Sequence, residues 1–177
     1  MPKHHHTRQI PFGADNFLSV LEGLEGGFAI FVGIIAGLAF KDVGYNLVIM
    51  TAAIGIIVNA FNASAVRYTS EHYLDELDGH EKRSWLRAYF VPSFIEFITY
   101  LLVSAVAVLP LILVKNVALA VWLCILLTAI ILYTAGAYRG KLLGRHAIRD
   151  GVEVMMSGLL IIAVGAFSGW VLSHLLV

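Results

Sequence analysis

Glu22 and Glu25 stand three residues apart at the head of an apolar run, with glycines at 23, 26 and 27 around them. On a helix that spacing puts both carboxylates on one side, about one turn apart. No charge follows until Lys41, so the helix can cross a bilayer, with the acids roughly 10 Å inside it at 1.5 Å per residue. Ionisable groups at such depth are costly and usually face a bundle interior or an aqueous path. Asn59 and Asn62 repeat the three-residue spacing near the end of a second apolar run. Glu96 and Glu153 stand about two turns and one turn into later runs. Carboxylate and amide oxygens are hard ligands, suited to Mg²⁺, Ca²⁺, Mn²⁺ or Fe²⁺ more than to copper or zinc. The expected chemistry is therefore reversible binding of a divalent cation. Glu22 is the expected metal ligand and proton carrier and Glu25 its assistant, with Asn59, Asn62, Glu96 and Glu153 as further metal-site candidates. Crowded acids repel one another, so protons and metal would compete for them.

Each of these residues also has a plainer use. An acid near a helix end can be satisfied by water, and an asparagine can hydrogen-bond between membrane helices. Pro92 can open the chain near Glu96 to water, and Met155 and Met156 beside Glu153 suit packing as well as a soft cation. Depth and pairing set Glu22 and Glu25 apart. His4-His5-His6 reads as incidental composition rather than a metal-collecting arm, because no ligand partner lies near it in sequence.

The elements that must position these groups follow from composition. The 177 residues are 59% hydrophobic and 14% charged, with a mean hydropathy of +0.84, more apolar side chain than a soluble domain of this length can bury. The fold class expected is all-α integral membrane, a single transmembrane domain (1–177) with spans at about 16–40, 43–66, 88–114, 117–138 and 151–177. A short acidic loop, 67–87, joins the second and third. No cleaved leader is expected, since the polar start leads straight into a long span.

Ten basic residues share one side of this topology: Lys3, Arg8, Arg67, Lys82, Arg83, Arg87, Arg139, Lys141, Arg145 and Arg149. Only Lys41 and Lys115 fall on the other. By the positive-inside rule the N-terminus is cytosolic, and every candidate site residue then lies in the cytosolic half of the bilayer. Gly23/Gly27 and Gly33/Gly37 give small-xxx-small spacing, which predicts a homodimer paired through span one with a path on the two-fold axis. Gly136, Gly140 and Gly144, and Gly151, Gly158, Gly165 and Gly169, predict close packing of spans four and five. Glu71, Asp75, Glu76 and Asp78 either gather cations at the mouth or continue span two as a solvated helix.

Several classes are excluded. Zero net charge without a basic block argues against nucleic acid. Cys124 stands alone, so neither an internal disulfide nor a thiolate cluster can form. No serine–histidine–acid set, phosphate loop or HExxH motif marks an enzyme. No cofactor is expected beyond the transported ion, and the partners expected are metal, protons, lipid and a second copy.

The run LEGLEGGFAIFVGIIAGL, Leu21 to Leu38, resembles the first span of the vacuolar iron transporter family, with Glu22-Gly23 where that family commonly has Asp-Gly. Ser70-Glu71-His72-Tyr73 and the closing segment 151–169 resemble it too. The resemblance implies a five-span homodimer exporting Fe²⁺ or Mn²⁺ from the cytosol against protons, in a prokaryotic cell membrane rather than a vacuolar one. The family's Glu/Met-rich cytosolic insert is reduced here to the acidic stretch, and Asn59 stands where a span-two methionine is expected. A dimeric cation channel and a non-transporting membrane scaffold are the rival functions.

Overall fold

A computed structural model describes residues 14–25, 28–40, 43–79 and 84–175, and among them the secondary structure is helical throughout. The helices are α1 (Ala14–Glu25), α2 (Phe28–Leu38), α3 (Tyr45–Leu77), α4 (Val91–Leu113), α5 (Val117–Leu142) and α6 (Ala147–Leu175). Five stretches are long and apolar enough to cross a membrane: Asp15–Leu38, Tyr45–Leu77, Leu86–Leu113, Val117–Leu142 and Ala147–Leu175. The chain is an integral membrane protein, as its composition requires. Lys3, Arg8, His4 to His6, Lys41, Lys82 and Arg83 lie outside the described residues.

Local chemistry sets the helix ends. The Asn116 side chain caps α5 by accepting from the Leu119 backbone N–H at 3.1 Å, which satisfies one orphan donor of the first turn. Gly144, at φ +69°, ends α5, and the Arg145 N–H reaches back to the Gly140 carbonyl at 2.8 Å. Only a residue free of a Cβ penalty takes that left-handed conformation at little cost. A π turn, Leu86–Phe90, precedes α4. Pro92 has no N–H to give the Ala88 carbonyl, and a locally widened turn is one way the backbone accommodates that loss.

The core gathers Phe28, Phe31, Val32 and Ile35 of α2 with Val48 of α3, Leu111 of α4 and Leu132 of α5, all essentially inaccessible. Antiparallel neighbours follow from the connections. The Tyr45 hydroxyl at the start of α3 donates to the Leu111 carbonyl near the end of α4 at 2.6 Å. Toward the opposite end of the bundle, Arg67 of α3 and Arg139 in the last turn of α5 meet α1.

Two expectations change. The glycine face of the first span does not lie free for a second chain. A Cβ on Gly37 would fall 2.8 Å from the Gly165 carbonyl oxygen and 3.2 Å from the Gly169 Cα, and one on Gly33 would fall 3.2 Å from the Ile161 carbonyl oxygen. These glycines let α2 and α6 of one chain touch backbone to backbone, the close approach that small residues permit in lipid. Gly23 meets Thr99 and the Glu96 carbonyl of α4. Gly136, Gly140 and Gly151 do seat α5 against α6, whereas Gly165 and Gly169 serve α2.

The second change is that helix α3 does not stop at residue 66. It runs to Leu77, so the first half of the expected 67–87 loop is helix. Arg67 pairs with Glu71 at 3.7 Å and His72 with Glu76 at 3.6 Å, both at i,i+4, pairs that support a helix beyond the apolar span. Gly79, at φ +72°, follows its end. Helices α5 and α6 likewise extend into the expected 139–150 loop, leaving a short turn between Leu142 and Ala147.

Candidate functional site

The end of the bundle that carries Arg67 and Arg139 holds a cavity of about 600 Å³. Its wall is Glu22 and Glu25 of α1, Asn62, Ala63, Val66, Arg67, Ser70, Glu71 and Leu74 of α3, and Glu96 of α4. Four of the six residues expected from sequence therefore meet at one place: Glu22, Glu25, Asn62 and Glu96. Asn59, half-buried one turn from Asn62, is not part of the wall, and Glu153 is exposed on α6 away from it.

Helix geometry explains the convergence. Glu22 and Glu25 fall on one side of α1, and Asn62, Val66, Ser70 and Leu74 follow one another on α3 at helical spacing. Glu96 lies ten residues along the span that begins at Leu86, about 15 Å in. Gly23, between the two α1 acids, lets α1 sit directly on the Glu96–Thr99 turn of α4. The acids are drawn together by the absence of one side chain.

At the centre stands Arg67, with only 5% of its side chain exposed. Its guanidinium contacts the Glu22 carboxylate and lies 3.7 Å from Glu71 and 4.0 Å from Glu96. It also donates to the Asp15 carbonyl at 3.3 Å. An unpaired guanidinium so deeply buried would be strongly destabilising, and three surrounding carboxylates offset that penalty. Glu25 turns to another partner, accepting from Arg139 Nη1 of α5 at 2.6 Å. The two neighbouring acids of α1 thus answer to different arginines. Glu96 is buried, and its Oε2 makes no hydrogen bond. Four carboxylates of the wall surround Arg67, Arg139 answers Glu25 from α5, and buried Asp150 adds a further carboxylate on the Glu25 side, so acids outnumber guanidinium groups at this end.

Among the described residues no group of three or more His, Cys, Asp or Glu side chains is placed to hold a metal ion directly. Arg67 stands among Glu22, Glu71 and Glu96. Sequence reasoning uses Arg67 only to orient the chain. The signal that would have found its role is its i,i+4 spacing to Glu71 on a helix carrying Asn62 on the same side.

The acidic stretch divides in two. Glu71 lines the cavity, while Asp75 is buried and accepts from the Tyr89 hydroxyl at 2.8 Å. His72 packs edge-on against Tyr89, ring centroids 5.1 Å apart. Asp75 therefore ties the end of α3 to the π turn. It is not an open collector of cations.

Residues 70–170 match the model of the VIT family. That stretch begins at the Ser70-Glu71 edge of the cavity and runs through α4 and α5 into α6. No curated protein matches the chain.

Proposed function

Because the chain belongs to the VIT family of vacuolar iron transporters, we propose that it carries Fe²⁺ or Mn²⁺ out of the cytosol in exchange for protons. The observation that carries this reading is the cavity, where Glu22, Glu25, Glu71, Glu96 and Asn62 converge around Arg67, with carboxylates outnumbering guanidinium groups. Hard oxygen donors suit these ions. The basic residues Arg87, Arg139, Lys141, Arg145 and Arg149 flank the cavity end of the spans, and the positive-inside rule favours a cytosolic position for that end. Metal would then enter the cavity from the cytosol, displace protons from the acids, and leave on the far side.

A second copy is part of the proposal. Asn62 is exposed on α3 at the open flank of the cavity, and an amide facing hydrocarbon without a partner is unfavourable. A two-fold mate covering that flank would supply one and place the path between subunits. The glycines of α2, spent on α6, are not its interface.

The test is uptake into sealed proteoliposomes across Fe²⁺, Mn²⁺, Co²⁺, Zn²⁺ and Ca²⁺ with a pH dye inside. Metal flux that moves protons the opposite way supports exchange. Flux indifferent to a pH gradient would mean a channel, and no metal-dependent flux or binding would leave a scaffold.

A further inference from the structure

We propose that Arg67 is a tethered competitor of the transported metal: its guanidinium occupies the place between Glu22, Glu71 and Glu96 that a divalent cation takes, and metal entry moves it aside. This inference rests on the transport reading above and adds to it a residue that controls access and release.

Three observations carry it. The guanidinium is central to the cavity rather than peripheral, touching Glu22 and lying within 4.0 Å of both Glu71 and Glu96, which belong to different helices. Apart from a 3.3 Å hydrogen bond to the Asp15 carbonyl, it is held by charge more than by directional bonding. Its Nε makes no hydrogen bond, and the nearest Glu96 oxygen, Oε2, makes none either. An arginine locked permanently in place would be expected to use its planar fork bidentately. Lastly, an exit exists. Glu71 lies one turn further along α3 and is partly exposed, so that side of the cavity is open and the long Arg67 side chain can extend along its own helix toward water.

The exchange conserves the logic of the site. With Arg67 in place the three carboxylates share one positive charge, and with a divalent cation in its stead they share two. When the metal leaves, the returning guanidinium neutralises acids that would otherwise hold the ion back. Arg67 thereby weakens binding at equilibrium and speeds release, which a carrier requires and a storage site does not.

The experiment has two arms on the full chain. In the first, wild-type protein in liposomes is treated with phenylglyoxal with and without Mn²⁺, at matched ionic strength, and adduct at residue 67 is followed by mass spectrometry. Displacement predicts at least threefold faster modification with Mn²⁺. Unchanged or slower modification, in protein that transports Mn²⁺, overturns the inference and leaves the transport reading intact. In the second arm, Mn²⁺ binding is measured by calorimetry on Arg67→Gln and Arg67→Lys. Arg67→Gln should bind about tenfold tighter yet turn over more slowly at saturating Mn²⁺, while Arg67→Lys stays near wild type. A folded Arg67→Gln that binds Mn²⁺ no tighter also overturns it. If Arg67→Gln does not fold, the wild-type modification arm decides alone. If wild-type protein neither binds nor moves Mn²⁺, both readings fall together.

Discussion

Glu22 and Glu25 are one turn apart on α1 and held by different arginines, so equal substitutions there should have unequal results. Glu22→Gln keeps the size and one oxygen but removes a charge from the Arg67 cluster. It is expected to fold and to lose at least tenfold in metal-driven proton movement, read with the internal pH dye. Full proton coupling in that variant would move the site to Glu96. Glu25→Gln removes the charge that answers Arg139 and leaves a partly buried guanidinium without a counter-ion, so it should lower stability by about 1–3 kcal/mol, with a milder transport defect. Tyr89→Phe, which takes the hydroxyl from buried Asp75, should cost a similar amount, about 1–3 kcal/mol, and leave metal affinity unchanged. A melting curve and a binding isotherm separate the two effects. The acids were legible in the sequence because charge is rare in apolar runs. Their partners were not, because Arg67 and Arg139 are set against α1 by tertiary packing, which local spacing does not encode.

At the scale of the element, α3 and the α2–α6 seam depart most from what the sequence suggested. Hydropathy marks where a helix leaves lipid, not where it ends. The reading of residues 67–87 as a loop followed the charges, whereas the i,i+4 pairs Arg67–Glu71 and His72–Glu76 carry the helix on. Amide hydrogen exchange should therefore show protection continuing through residues 68–74. Exchange at unstructured rates from residue 68 onward would contradict the extension. The glycine spacing was legible as close packing, but spacing alone does not say which helix is the neighbour. Gly37→Ala places a methyl group against the Gly165 carbonyl, an overpacking that typically costs about 1–3 kcal/mol. It should lower the melting temperature of the folded chain in detergent without changing its oligomeric state. Loss of the oligomer at unchanged melting temperature would return these glycines to a subunit interface.

Across the whole molecule, polar and apolar material are divided by depth. The cavity and its five charged residues occupy one end, and Phe28, Phe31, Ile35, Val48, Leu111 and Val121 pack the core elsewhere. Five spans and this one-sided placement of acids could be read from the sequence, since both rest on where charge is absent. The division has an electrical consequence. A water-filled mouth conducts, so a membrane potential falls mainly across the dry part of the bundle, and an ion resting beside Glu96 has crossed little of it. Binding from the cavity side should then be nearly independent of voltage. The later step carries the whole load, about 4.6 kcal/mol per 100 mV for two charges. If one proton returns per metal ion, a single net charge moves and turnover should respond to voltage. If two return, the cycle is electroneutral and a potassium–valinomycin potential should leave the final level of accumulated metal unchanged.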